Sequence, residues 1–277
     1  MKNIVILYHS SCPDGFSAAW AAWKKFGKEA TYVPVDRRPI LPKGLKGKII
    51  YSLDFVHDEP MLSNLLKTAA KVVFIDHHIT AKEKAKRGAE CVFDLKRSGA
   101  VLAWQYFHPT KKIPRLLLHV EDFDLWKFKL PHTREVDILL ELINFDFRTW
   151  DKMVREMENP YRRKVMFKEA AFLNRYKRRL IEGLVKSADL VSLAGRKTLA
   201  VNSPIFNSEI GHSLCRKLPP IGIVWRAKNE EIIVSLRSNG KMDVSKIAKH
   251  FGGGGHKASA GFSLPRNAKL PWKILKK

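Results

Sequence analysis

Lys71–His78, KVVFIDHH, is the stretch whose reading decides the fold. Four consecutive apolar residues, Val72 to Ile75, follow a helical segment and precede polar residues. That is the pattern of a strand buried on both faces of a parallel sheet. The run then stops at an acid and two imidazoles. In open α/β sheets ligands gather beyond the carboxyl ends of the strands, so Asp76, His77 and His78 stand where chemistry is expected.

Toward the N-terminus the same pattern repeats. Residues 60–70 read as the helix that feeds this strand, and Lys48–Phe55, KIIYSLDF, as another strand delivering Asp54 at its end. Further back, IVIL at 4–7 runs into the polar turn Tyr8–Gly15, which carries His9, Cys12 and Asp14. The alanine-rich helix that opens at Phe16 then stops at Gly27. Thr31–Val35 is a further strand candidate, with Pro34 counting against it. Alternation of strand and helix predicts a doubly wound parallel sheet. Three strand ends would then bring His9 and Asp14, Asp54, and the Asp76-His77-His78 triplet to one rim.

Beyond His78 the pattern is mostly helical. Helices are expected from Ser98-Gly99-Ala100 onward and over Ile113–Val120, the second ending in the acidic, aromatic knot Glu121–Trp126. Asn159-Pro160 is a helix start, with a capping residue followed by proline in the first turn. From there to about Ser187, apolar residues Met166, Ala170, Leu173, Tyr176, Leu180 and Leu184 recur at helical spacing, with arginines on the other side. Strand patterns return near Leu190. The expected layout is an N-terminal α/β domain over 1–155, a connecting helix over 156–189 and a smaller α/β domain over 190–277.

The chain has 277 residues and a formal net charge of +24. Such an excess points to a polyanionic partner, nucleic acid first, with a generally lysine-rich surface as the competing reading. Three widely spaced cysteines suggest no disulfide framework, and neither a signal peptide nor a membrane span is legible, so a cytoplasmic protein is expected.

Imidazole nitrogens with carboxylate oxygens form a ligand set for Mn²⁺, Fe²⁺ or Zn²⁺. His9, Asp14, Asp54, His77 and Asp122 come from separate elements and are the candidate ligands, with Cys12 left open. Taken singly, each is more often a cap or turn residue; taken together they require several coincidences at one rim. Gly252–Gly255 followed by His256 and Lys257 reads as a backbone nest for an anion or as a simple turn. Arg237 is a second anion clamp, its planar fork matching phosphate.

These residues resemble the DHH family of metal-dependent phosphoesterases over both halves of its usual layout. Asp76-His77-His78 resembles the motif that names the family, and GGGGHKASAGF the glycine-rich motif of its associated C-terminal domain. The resemblance implies two Mn²⁺ ions, with Mg²⁺ or another divalent metal as the alternative. It also implies hydrolysis of phosphodiester bonds, as in RecJ-type exonucleases and nano-RNases. His9, Asp14, Asp54 and His77 match metal ligands, and Asp122 is placed as the last carboxylate, with Asp124 next. His78 matches the histidine facing the scissile phosphate, and Asp76 its orienting partner. Arg237, Gly253, Gly254, Gly255, His256 and Lys257 fall in the substrate-binding region. Cys12 stands where the family commonly has an aspartate, as a thiolate ligand or as a small buried residue.

The expected substrate is single-stranded nucleic acid or a short oligonucleotide. The alternatives are a small nucleotide, such as a dinucleotide or bisphosphonucleotide, and a binding protein without catalysis.

Overall fold

A computed structural model describes residues 3–10, 12–35, 40–79 and 81–275; Ser11 of the Tyr8–Gly15 turn lies outside them. The chain divides into two compact units, Met1–Asn174 and Arg175–Lys277.

The first unit runs β1 (Ile4–His9), α1 (Pro13–Phe26), β2 (Ala30–Val35), β3 (Ile49–Leu53), α2 (Met61–Thr68), β4 (Lys71–Asp76), α3 (Lys82–Ala85), β5 (Glu90–Phe93), α4 (Gly99–Phe107), α5 (Arg115–Asp124), α6 (Thr133–Glu141) and α7 (Phe147–Glu158). All five strands are parallel, in the order β2-β1-β3-β4-β5. The alternation of residues along β4 shows why the sheet is covered on both sides. Val73 and Ile75 join a core with Phe16, Trp20, Val101 and Leu117, while Val72 and Phe74 join a second with Leu62, Leu65 and Ala85. None of the four β4 residues is more than 3% exposed. Burying a side chain of this size contributes about 1.5–3 kcal/mol. Deleting one such as Phe74 to alanine costs about 3–5 kcal/mol, because a cavity remains.

This order fixes where a ligand can enter. The chain moves from β1 outward to β2, then returns to place β3 on the other side of β1. The crevice of such a sheet opens at that reversal, beyond the carboxyl ends. β1 ends at His9, β3 immediately before Asp54, and β4 at Asp76.

Two expectations shift. β2 forms despite Pro34, because it is an edge strand and the missing amide interrupts no inner ladder. β5 was hidden in a region read as helical: ECVF is short and begins with a charge, so no apolar run announces it.

α8 (Pro160–Lys186) starts where Asn159-Pro160 predicts it, the Asn159 side chain accepting from the amides of Tyr161 and Arg162. Its buried positions are Ala170, Asn174, Lys177 and Ile181, whereas Leu173 and Leu180 are more than a third exposed and Tyr176 is 65% exposed. The apolar spacing therefore marks the buried stripe only in part: Ala170 is buried and Met166 and Leu184 pack against cores, while Leu173, Tyr176 and Leu180 face outward. Lys177 is buried because its ammonium meets the Glu209 carboxylate at 2.6 Å and lies over the Phe206 ring.

The second unit continues with β6 (Asp189–Leu193), β7 (Arg196–Asn202), α9 (Asn207–Lys217), β8 (Ile221–Lys228), β9 (Glu231–Ser238), α10 (Val244–His250), β10 (Gly254–His256), β11 (Ser259–Pro265) and β12 (Lys273–Ile274). Its sheet is ordered β10-β11-β9-β8-β7-β6-β12, parallel at β7–β8 and antiparallel elsewhere. Val191, Ile223, Leu236 and Phe262 lie in its core. Among the described residues, no helix is long and apolar enough to cross a membrane.

Candidate metal centre

The carboxyl ends of β1, β3 and β4 bring together His9, Cys12, Asp14, Asp54, Asp76, His77 and His78. Donor atoms fall into three groups, each within 4.8 Å: His9, Cys12 and Asp54; Asp54, Asp76, His77 and His78; and Asp14, His77 and Asp124. Asp54 is common to two of them, as is His77.

Backbone geometry places each one. Asp54 follows the last residue of β3 at φ 63°, a left-handed conformation few residues other than glycine adopt. Its amide donates to the Ile75 carbonyl (2.9 Å), which ties the end of β3 to that of β4. Asp14 lies in the first turn of α1, only 1% exposed, and accepts from the amides of Gly99 (2.7 Å) and Ala100 (2.9 Å) at the start of α4. Gly99 is the residue that permits this approach. A β-carbon there would stand 2.9 Å from Asp54 Cβ and 3.0 Å from Asp14 Oδ2. Asp76, fully buried, accepts from the amides of His77 and His78 and from His78 Nδ1 (2.7 Å), which orients that ring.

One nitrogen sits at the centre of the charge. His77 Nε2 lies 3.3 Å from Asp54, 3.5 Å from Asp124 and 3.6 Å from Asp14. A single N–H cannot serve three carboxylates, and none of these contacts has good hydrogen-bond geometry. His77 Nε2, Asp54 Oδ1, Asp76 Oδ2 and Asp124 Oδ2 are all buried without a hydrogen bond. Buried polar atoms are nearly always paired, and leaving one unpaired costs about 1–3 kcal/mol. Imidazole nitrogens and carboxylate oxygens with unspent lone pairs are what a divalent transition metal requires, so the residues fit a metal.

The electrostatics agree. Burial alone would lower the His77 pKa, but Asp54, Asp124 and Asp14 raise it to about 10. A proton on His77 thus occupies the electrostatic place of a cation. Burial and the nearby Asp54 charge raise Asp124 to about 6, and burial with Asp54 and Asp124 pushes Asp14 well above the usual carboxylate range. Burial also pushes Asp54 upward, but the imidazoles of His77, His9 and His78 outweigh it and hold the group well below that range. His78 is raised against its burial by its bond to Asp76 and by Asp54.

Asp122 is not brought into any of these groups. Its oxygens accept from the amides of Lys129 (2.8 Å) and Leu130 (3.0 Å) and from the Thr133 hydroxyl (2.6 Å). It staples the loop after α5, and Asp124, two residues on, takes the place at the rim. The Ser98-Gly99-Ala100 contribution was also missed as part of the site. A small-residue helix start with a serine cap was the available signal, and the Ser98 side chain does accept from the Val101 amide.

In the second unit, Arg237, Ser259 and His256 are cross-strand partners on β9, β11 and β10, and so share one row of the sheet. The Arg237 guanidinium donates to Ser208 Oγ (2.7 Å) at the start of α9. Gly211 leaves room for its stem, since a β-carbon there would meet Arg237 Cγ at 2.8 Å. The glycine run forms no open nest. The amides of Gly252 and Gly253 close α10 on the Lys249 and Ala248 carbonyls, and Gly254 and Gly255 pair with Gly261 and Ala260. His256 and Lys257 are exposed beside the following turn.

Residues 211–273 match the DHHA1 domain model. The chain is 30% identical over 286 residues to uncharacterized protein R106 of Acanthamoeba polyphaga mimivirus, covering 94% of this chain and 67% of that protein. It is 24% identical over 297 residues to oligoribonuclease NrnB of Bacillus subtilis, covering 93% and 72%. Among solved structures it is similar to an exopolyphosphatase-related protein from Bacteroides fragilis, with a TM-score of 0.59, 14% identity and coverage of 97% and 88%. A DHHA1 domain follows a parallel sheet whose fourth strand runs into Asp-His-His, and the likeness to R106 spans nearly the whole chain: this protein belongs to the DHH family of phosphoesterases.

Proposed function

We propose that the chain is a metal-dependent phosphodiesterase that shortens single-stranded nucleic acid or short oligonucleotides to nucleoside monophosphates. The observation that carries this reading is the cluster of buried imidazole and carboxylate atoms at one set of strand ends, left without hydrogen bonds. His9, Asp14, Asp54, His77 and Asp124 are the residues that would hold divalent cations, with Mn²⁺ suited to a mixed nitrogen and oxygen donor set. Such cations, when bound, supply Lewis-acid polarisation of a phosphoryl oxygen and lower the pKa of water.

The protein's own groups do the rest. Asp76 fixes the His78 ring and, with Asp54, favours its protonated form against burial, so His78 is suited to donate to an oxygen of the scissile phosphate. The two α4 amides hold the Asp14 carboxylate in place before substrate arrives. In the DHHA1 unit, the Arg237 fork and the row it shares with Ser259 and His256 suit a terminal phosphate or nucleotide. Substrate choice is supported by the formal charge of +24, since each neutralised phosphate adds a gain from counterion release. The likeness to oligoribonuclease NrnB points the same way.

The test is hydrolysis of end-labelled RNA and DNA strands, from dinucleotides upward, with added Mn²⁺ and with His78→Ala as control. Stepwise loss of terminal nucleotides, absent in the control, is expected. Cleavage of dinucleotides alone would move the substrate to small nucleotides. Strand binding with no hydrolysis under any divalent metal would overturn the enzymatic reading.

A further inference from the structure

Cys12 precedes the first turn of α1 with φ −128° and ψ 126°, and its carbonyl accepts from the Phe16 amide (2.9 Å). A polar residue at such a position usually turns its side chain onto the helix amides. Cys12 makes no such bond, and it is a free thiol. Its sulfur lies with a His9 ring nitrogen and an Asp54 oxygen in a group of three donors within 4.8 Å. Asp54 is 2% exposed: its Oδ2 meets His9 Nδ1 at 3.3 Å, on the side of the Cys12 group, while its Oδ1, toward His77, has no hydrogen bond, so one buried carboxylate faces both groups with capacity unspent. The same Asp54 also belongs to the group with Asp76, His77 and His78, while Asp14, His77 and Asp124 form the third. Two of the three groups offer only nitrogen and oxygen. The one at the end of β1 includes sulfur.

We propose that Cys12 is a thiolate metal ligand beside His9 and Asp54, so that Asp54 joins two unlike cation positions, one sulfur-containing and selective for Zn²⁺, Co²⁺ or Fe²⁺, the other suited to Mn²⁺. This rests on the metal-dependent reading above and deepens it. Thiolate is a softer donor than carboxylate and shifts selectivity toward thiophilic metals. On binding, a metal–sulfur bond replaces the S–H bond and the proton leaves to solvent. The chain would then work with two different metals in place of a matched pair.

The experiment uses the whole protein, stripped of metal under reducing conditions and titrated with Co²⁺ alone. A near-ultraviolet sulfur-to-cobalt charge-transfer absorption is expected in the wild type, lost in both Cys12→Ser and Cys12→Asp. Cys12→Asp should still bind the same number of Co²⁺ ions, which shows that loss of the band is not loss of the fold. In competition, the wild type should retain Zn²⁺ against excess Mn²⁺, and Cys12→Asp should release it. Stoichiometric Co²⁺ binding without the band, or an equal band in Cys12→Ser, would overturn the thiolate ligand and leave the phosphodiesterase reading intact. A folded wild type that binds no Co²⁺ would overturn both.

Discussion

The loop that follows α5 and the rim of the parallel sheet use buried acids in opposite ways. Asp122 has both oxygens occupied by two amides and a hydroxyl, and His119 Nδ1 meets the same Thr133 hydroxyl at 3.0 Å. Asp124 ends the same helix, yet it has an oxygen without a hydrogen bond, and so do Asp54 and Asp76. A saturated acid of this kind holds the fold together. An unsaturated one keeps capacity in reserve for something the chain does not itself supply, and loses some stability by doing so.

The sharpest way to break this contrast is to neutralise one acid on each side. Asp124→Asn should lower hydrolysis by about 10²–10³-fold, the scale seen when a group aimed at developing charge is removed. The melting temperature of the metal-free protein should stay unchanged or rise, because the substitution relieves crowding among Asp14, Asp54 and Asp124. A drop in both together would show that Asp124 is structural.

Gly99→Ala tests the rim from its backbone side. The added carbon meets Asp14 and Asp54 near 3 Å, and displacing supports of ligands typically weakens metal affinity by about 10–100-fold. Isothermal titration with Mn²⁺ would measure it; unaltered affinity would mean that the rim yields more readily than the packing implies.

Asp122→Ala should do the reverse of Asp124→Asn. Stranding two amides and a hydroxyl should cost about 2 kcal/mol in urea unfolding, with metal stoichiometry unchanged. Lost stoichiometry with stability preserved would return Asp122 to the ligand set.

The smallest effect is a pH dependence. Burial lowers His119 to about 4, against the pull of Asp122. The folded state keeps the ring neutral while the unfolded chain takes up a proton below its ordinary value near 6.5. The contribution is therefore complete above that value and is lost as pH falls toward 4. The full shift corresponds to about 2 kcal/mol lost by pH 5, and solvent screening leaves about 1 kcal/mol of it. His119→Gln should flatten this part of the wild-type stability profile, and an equally steep profile in the variant would assign the dependence elsewhere.

What the sequence could show follows from what is local. A four-residue apolar run ending in Asp-His-His declares a buried strand and its exposed end within eight residues, and the β1 and β3 ends could be read in the same way. Asp122 and Asp124 could not be told apart, because residues two apart on a helix point about 200° away from each other. Which one meets the rim depends on how α5 packs. The partners of Asp14 lie 85 and 86 residues away, and no spacing rule reaches that far. β5 has too little apolar sequence to declare itself. The glycine run was legible as flexible backbone, but its pairing with β11 is decided by Gly253 and Gly255, which sit against Gly261 and Ala260 with no room for a β-carbon.

The amide of Asp54 bonded to the carbonyl of Ile75 has a further effect. It makes the distance between the donors at the ends of β3 and β4 a property of the main chain. Parallel strands lie about 4.8 Å apart whatever side chains they carry, close to the roughly 4 Å that separates paired metals at phosphoryl-transfer sites. The sheet is therefore a ruler. Donor atoms along its rim can be exchanged, sulfur for oxygen, and the gauge of the rim is conserved as long as the ladder beneath it holds.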